Sequence, residues 1–170
     1  MRVVEAAGLT LVPQTVEHAE EMFAVLSDPA IYRHENQPPA SLDWLRKRFA
    51  MLESRQSRDE SEQWLNWVIR IPKGALIGFT QATVRRDGSA GIAYVLASAY
   101  WGRGLGRKAV AAMMGELGEH YAVNRFTAVL KGENVRSRHL LEQLGFSHAS
   151  REELAKQQIE PGEIMMIRDR

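Results

Sequence analysis

Residues 100–108 read Y-W-G-R-G-L-G-R-K. Gly102, Gly104 and Gly106 alternate with other residues in this stretch. A β-type segment, residues 91–97, lies just before it. A helix-forming run follows at once: Lys108, Ala109, Val110, Ala111, Ala112, Met113 and Met114. The order is therefore strand, glycine-rich turn, helix. Glycine lets the backbone turn tightly and brings its N–H groups close to a ligand. A helix start adds unpaired N–H donors and the positive end of the helix dipole. Together they suit an anion, phosphate above all.

Several patterns compete for these residues. A dinucleotide fold uses G-x-G-x-x-G after its first strand. Gly102 and Gly104 fit its first half, but Arg107 stands where the last glycine belongs, and the stretch comes late in the chain. The Walker pattern G-x-x-x-x-G-K-[ST] is absent from the stretch. A pyrophosphate grip of the coenzyme A kind, [Q/R]-x-x-G-x-[G/A], fits residues 101–106 at every position except the first, where Trp101 stands. A tight turn with no ligand would use the same glycines.

The next segment narrows the choice. Residues 124–130, N-R-F-T-A-V-L, read as a strand through Phe126, Thr127 and Val129. After a polar turn, residues 134–146 read N-V-R-S-R-H-L-L-E-Q-L-G-F. Asn134 is a good N-cap. Ser137, Leu140, Leu141 and Leu144 share one helical face. Gly145 stands where a left-handed C-terminal residue belongs, and Phe146 where a Schellman ending places an apolar contact to Leu141.

W-G-R-G-L-G followed by N-x-x-S-x-x-L-L-E-x-L-G-F resembles the GNAT superfamily of acetyl-coenzyme A-dependent N-acetyltransferases. The tryptophan before the glycine turn resembles the branch that includes the ribosomal-protein N-terminal acetyltransferases. The resemblance is strongest over residues 91–146. A weaker likeness covers the start, where L-T-L-V-P precedes a helix and Asp28-Pro29. It implies a mixed α/β (α+β) fold: a central, mostly antiparallel sheet flanked by helices. Its strands at 91–97 and 124–130 would be parallel neighbours that splay apart around the pantetheine arm.

Composition agrees with a globular enzyme. The chain has 170 residues and reads as one domain, 1–170, large enough for a substantial core. Hydrophobic residues make up 45% and charged residues 25%, with a net charge of +1. These ordinary values give no call for nucleic acid or an anionic membrane as partner. The absence of cysteine excludes disulfides, a cysteine nucleophile and thiolate metal sites, and no metal is expected. No apolar run approaches the roughly 20 residues of a membrane span, and the first residues lack a signal-peptide pattern. A cytoplasmic monomer or homodimer is the expectation.

Working outward, residues 9–12 form a strand candidate. Thr15 caps a helix with an apolar stripe of Val16, Ala19, Phe23 and Leu26, ended by Asp28-Pro29. A loop spans 30–40. Ser41 caps a second helix striped by Leu42, Leu45, Phe49 and Leu52. Residues 54–62 are a polar loop. Strands follow at 64–71, 76–85 and 89–97, with Arg86-Asp87-Gly88 as a turn, and residues 165–167 form a closing strand. Gly115 and Gly118 sit in the helix after the glycine turn, each costing about 1 kcal/mol relative to alanine. They serve either close packing or a frayed end.

The resemblance also assigns roles. The backbone N–H groups of Gly102, Arg103, Gly104, Leu105, Gly106 and Arg107, with Trp101, would grip the cofactor phosphates. Arg103, Arg107 and Lys108 add charge or serve only as surface. Val95 or Leu96 would offer a main-chain N–H to the thioester oxygen, unless the strand break is a functionless bulge. A family tyrosine seven residues after the asparagine is absent, because Leu141 stands there. In its place, the branch implies Ser137 as the hydrogen-bond partner of the departing sulfur. A plain first-turn role at the helix start also fits Ser137. Asn134 would contact the pantetheine arm, cap its helix, or both. The glutamate often found before the splayed strand's core is replaced by Gly91. His34 and Glu35 are then the candidate bases, since their loop would border the acceptor side. Tyr32 and Trp67 would shape the acceptor pocket, although Trp67 also suits the core. The implied reaction is direct attack of a primary amine, small molecule or protein N-terminus, on acetyl-coenzyme A. A coenzyme A-binding sensor or interaction domain with weak or no catalysis is the alternative, and a nucleotide-binding domain a third.

Overall fold

The computed structural model describes residues 1–34, 37–72, 74–155 and 159–170. These residues form eight strands in one sheet and five α-helices. Strands β1 (Val4–Ala6) and β2 (Leu9–Pro13) precede helices α1 (Ala19–Leu26) and α2 (Leu42–Leu52). Then come β3 (Glu62–Arg70), β4 (Leu76–Arg85), β5 (Ser89–Leu96) and helix α3 (Leu105–His120). Strand β6 (Arg125–Lys131), helix α4 (Val135–Gln143), β7 (Ser147–His148), α5 (Arg151–Ala155) and β8 (Glu163–Asp169) complete the order.

The sheet order is β1-β2-β3-β4-β5-β6-β8-β7. Every neighbouring pair is antiparallel except β5–β6. A parallel neighbour requires a crossover, and α3 supplies it. The two strands pair only at Ser89, Ala90 and Gly91 against Arg125, Phe126 and Thr127. Beyond Gly91 they diverge, as the resemblance implied. Among the described residues, no helix is long and apolar enough to cross a membrane.

Helices cover both faces of the sheet. Ala19, Met22 and Leu26 of α1 and Leu45 and Phe49 of α2 pack with Val68 and Leu76. On the opposite face, Val110, Met113 and Leu117 of α3 pack with Leu65, Trp67, Ile69 and Ile92. Double coverage explains why Leu65 to Ile69 are all buried although their side chains alternate between faces.

Several elements differ from the sequence expectation. The turn Val16–His18 is a 3-10 helix, and α1 begins only at Ala19. Three residues per turn at the start rotate the stripe, so Met22 is buried in place of Phe23, and Val16 is exposed. A further 3-10 turn, Pro29–Arg33, occupies part of the expected 30–40 loop, with the Asp28 side chain accepting from Ala30 N–H at its start. Strands β1 and β7 and helix α5 are too short to leave a periodic signal. Helix α3 begins at Leu105, earlier than its apolar run, so Gly106 and Arg107 already lie in its first turn. Gly115 and Gly118 are interior to α3, which excludes the frayed end. A Cβ on Gly115 would meet open space, whereas one on Gly118 would lie 3.0 Å from the Arg170 guanidinium, which bonds the Gly118 carbonyl.

Candidate active site

The glycine turn has the conformation its composition demands. Gly102 has φ 71° and Gly104 has φ 72°, in the left-handed region. Gly104 is the N-cap of α3, and the Lys108 N–H reaches its carbonyl at 3.1 Å. The N–H groups of Leu105, Gly106 and Arg107 therefore lie in the first turn, without intrahelical partners. A Cβ at Gly102 or Gly104 would meet nothing within 4 Å, so those glycines are set by backbone conformation and not by crowding. Gly106 differs: its Cβ would lie 3.0 Å from Leu140 and 3.6 Å from Leu96. Its lack of a side chain lets α3 approach α4 beside the end of β5.

A cavity of about 440 Å³ opens at this turn. Trp101, Gly102, Gly104, Leu105, Gly106, Arg107, Val95, Leu96, Asn134 and Ser137 all line it. Arg103 does not; its guanidinium lies over the Tyr100 ring, 5.5 Å from the centroid. Trp101 is fixed by its indole N–H, which donates to the Leu96 carbonyl at 2.9 Å. Over that indole, 3.7 Å from its centroid, stacks the Arg136 guanidinium. Arg136 and Arg107 give the cavity positive charge, and His139 and Gln143 complete its rim. Nothing in the sequence pattern singled out Arg136 or His139; both fall at variable positions of the second motif. The cavity's size, its left-handed glycines, its helix-start donors and its arginines fit a phosphate-bearing cofactor with a long arm.

Helix α4 is built as its sequence suggests. Asn134 Oδ1 accepts from Ser137 N–H at 3.1 Å. At the other end, Gly145 has φ 83°, Phe146 N–H donates to the Leu141 carbonyl at 3.0 Å and Gly145 N–H to the Glu142 carbonyl at 2.9 Å. That is the Schellman pattern. Leu141 is buried beneath it.

Ser137 has a partner from the sheet. The Tyr94 hydroxyl on β5 lies 2.6 Å from Ser137 Oγ and 3.2 Å from the Ser137 carbonyl. A tyrosine is missing from the helix, yet a phenol arrives at the same place from 43 residues away. Sequence reading passed over Tyr94, because its role depends on β5 lying opposite α4.

The end of β5 also sorts the two main-chain candidates. Ala97 N–H donates to the Ile77 carbonyl across β4 at 2.9 Å. Donors alternate in direction along a strand, so Val95 N–H points into β4 as well. Leu96 N–H points to the β6 side, where β6 has diverged.

A second cavity of about 330 Å³ lies under α1 and α2. Ile31, Tyr94, Val95 and Ser137 line both cavities, so the two meet in the β5–β6 gap. Tyr32 lines the second and donates its hydroxyl to the Leu26 carbonyl at 2.6 Å. Trp67 is instead fully buried, its indole N–H on the Arg2 carbonyl at 3.0 Å. His34 lines neither cavity; its Nδ1 lies 3.2 Å from a Glu133 carboxylate oxygen. Glu35 lies outside the described residues. Among the described residues, neither cavity is lined by a carboxylate, and no group of three His, Cys, Asp or Glu side chains converges to hold a metal ion.

One carboxylate links the loop after α1 to the turn before Trp101. Asp28 Oδ2 accepts from Ser98 N–H at 2.7 Å. The Ser98 side chain and backbone donors hold the Asp28 carboxyl below its ordinary range.

Comparison with known proteins adds to this geometry. The family model described as an acetyltransferase (GNAT) domain matches residues 8–147. No curated protein matches the sequence. Among solved structures, the RimL ribosomal L7/L12 alpha-N-protein acetyltransferase in complex with coenzyme A superposes with TM-score 0.82 and 14% identity, covering 98% of this chain and 97% of that one. The ribosomal-protein-S5-alanine acetyltransferase from Vibrio fischeri gives TM-score 0.79 and 16% identity, covering 98% and 96%. The microcin C7 self-immunity acetyltransferase MccE, in complex with acetyl-CoA and AMP, gives 0.77 and 17%, covering 96% and 93%. At these identities the structural likeness concerns the fold.

Proposed function

Because the chain belongs to the GNAT acetyltransferase family, we propose that it moves an acetyl group from acetyl-coenzyme A to the α-amine of a peptide or protein N-terminus, by direct attack with both bound. The observation that carries this reading is the meeting of two cavities at Tyr94, Val95 and Ser137 in the strand gap. One suits a phosphate-bearing cofactor and the other an acceptor approaching from the opposite face of the sheet.

Acetyl-coenzyme A supplies the activated acyl group. The chain's part is to hold it, to stabilise charge and to manage two protons. The N–H groups of Gly102 to Arg107, with Arg107 and Arg136, hold the phosphates, and Trp101 and Asn134 flank the arm. Leu96 N–H, turned into the gap, meets the carbonyl oxygen where negative charge develops. The Tyr94–Ser137 pair serves the departing sulfur. With the phenol proton on Ser137 Oγ, the serine's own proton is directed into the cavity, and a phenol is the better acid of the two. The 170 residues contain no cysteine, so no acyl-cysteine forms on them.

Proton removal from the amine favours the α-amine. An alkyl amine, pKa about 10.4, is neutral to about one part in a thousand near pH 7.5, whereas an α-amine, pKa about 7.7–8.0, is roughly one third neutral. A cavity with no carboxylate or imidazole among its described lining residues suits the second. His34 and Glu35, in the loop that gives Tyr32 and Gln37 to that cavity, are the residues to test for carrying the proton to solvent. Work as a cytoplasmic monomer or homodimer is part of the same proposal.

The test is thiol release from acetyl-coenzyme A with peptides bearing a free α-amine, against N-blocked peptides whose only amine is lysine. Free N-termini should turn over and blocked ones should not. Stabilisation by coenzyme A with no turnover of any amine would instead mark a silent binding domain. Equal stabilisation by ATP or NAD would sink the cofactor assignment.

A further inference from the structure

The acceptor cavity does not end under α2. A smaller cavity of about 110 Å³ adjoins it, and Arg48, Leu52, Asn66 and Gln81 line both. Together they make a groove running from the β5–β6 gap across β4 to β3. Its floor is a row of cross-strand partners, Ala93 on β5, Gln81 on β4 and Asn66 on β3.

The chemistry of this groove is one-sided. Among the described lining residues, Arg48 is the only charged side chain, and no aspartate or glutamate is present. None of the described carboxylates lies within ion-pair distance of Arg48. Glu62, which accepts from the indole of the lining residue Trp64, is paired with Arg85 at 3.3 Å. The remaining polar lining is amide. Gln14 is only 6% exposed, and its Nε2 has no hydrogen-bond partner among the described residues. A buried donor left without an acceptor costs about 1–3 kcal/mol, so Gln14 wants an acceptor in the cavity that it lines.

We propose that Arg48, with the amides of Gln14, Asn66 and Gln81, forms a carboxylate subsite, and that the acceptor is a peptide N-terminus carrying a carboxylate about three residues from its amine. The spacing follows from the sheet. Two interstrand steps separate Ala93 from Asn66, about 10 Å in all, and an extended peptide advances about 3.4 Å per residue. A free amino acid, whose two ends sit side by side, does not reach. Arginine offers a planar fork of donors that matches a carboxylate. The inference rests on the acetyl-transfer reading and narrows its substrate.

The experiment measures kcat/KM at low ionic strength, where an exposed charge is least screened. One pair of C-terminally amidated peptides differs only in Asp or Asn at the third residue. A second pair of tripeptides differs only in a free or amidated C-terminus, which separates a side-chain carboxylate from a terminal one. At least one pair should show a preference of about tenfold for the carboxylate. That ratio should fall to near one in Arg48→Gln, with KM for acetyl-coenzyme A unchanged, and Arg48→Glu should favour Lys at the third residue. A wild-type ratio under about two in both pairs, or a ratio that survives Arg48→Gln, overturns the subsite while leaving the transferase reading standing. If no peptide of either pair is acetylated, the transferase reading fails and the subsite fails with it.

Discussion

The Tyr94–Ser137 contact permits a test in which stability and catalysis report separately. Replacing Tyr94 with Phe removes one hydroxyl and keeps the ring. The lost contacts are the 2.6 Å bond to Ser137 Oγ and the 3.2 Å approach to the Ser137 carbonyl. A phenol has one proton, so at most one of these is donated at a time. A net hydrogen bond contributes about 1 kcal/mol, so Tyr94→Phe should cost about 1–1.5 kcal/mol and Ser137→Ala about 1. For a chain of this size that is a fall of about 2–5 °C in Tm. The double variant should cost little more than either single one, giving a coupling of about 1 kcal/mol. Catalytically, Tyr94→Phe leaves the serine in place and should lower kcat by about tenfold to a hundredfold, below the full effect of losing a general acid. Thermal unfolding supplies the first measurement and thiol release at saturating substrates the second. Additive stability losses together with wild-type kcat in Tyr94→Phe would refute both the bond and the relay.

Three further outcomes follow from the geometry. Gly104→Val forces a β-branched residue to φ near 72°, a strain of about 1–2 kcal/mol; calorimetry should show coenzyme A binding weakened about tenfold or more, against less than about threefold for Arg103→Ala, whose guanidinium is over Tyr100. Gly115→Ala places a methyl in open space within α3 and should stabilise by about 0.5–1 kcal/mol, read as a rise in Tm. The bonds from Ser98 hold Asp28 below its ordinary carboxylate range. The unfolded chain therefore binds that proton more readily, and the stability from this contact is present above about pH 4 and lost as pH falls through the lower, folded value. Urea unfolding from pH 5 downward should show a shallower acid loss in Asp28→Asn than in the wild type.

Features written into a few consecutive residues were legible without coordinates. The strand–glycine–helix order, the Asn134 cap and the Gly145–Phe146 ending depend on backbone preferences that act over one helical turn. Each is found where the residues suggested. The burial stripe of α1 was misjudged by one position, because a single 3-10 turn changes the phase and no residue in 15–19 announces it. Trp67 read both as core and as pocket wall; only the packing of α3 against β3 shows it to be core. His34 was drawn to the acceptor side by its loop, but its ring lies beside Glu133 and outside both cavities.

By itself, then, the chain's order of residues determined its family, the left-handed turn with its row of donors, and the absence of any cysteine chemistry. These rest on local torsional and capping energies, or on composition, and need no distant partner. Tertiary structure decided which side chains stand together. It set Tyr94 against Ser137, laid Arg136 on Trp101, aimed Leu96 N–H into an open strand gap, and lined a groove with Gln14, Asn66, Gln81 and Arg48. Such meetings join positions tens of residues apart. They follow from where β5 and β6 part and from how α2 and α4 settle over that opening, which is a property of the packed whole and not of any short segment.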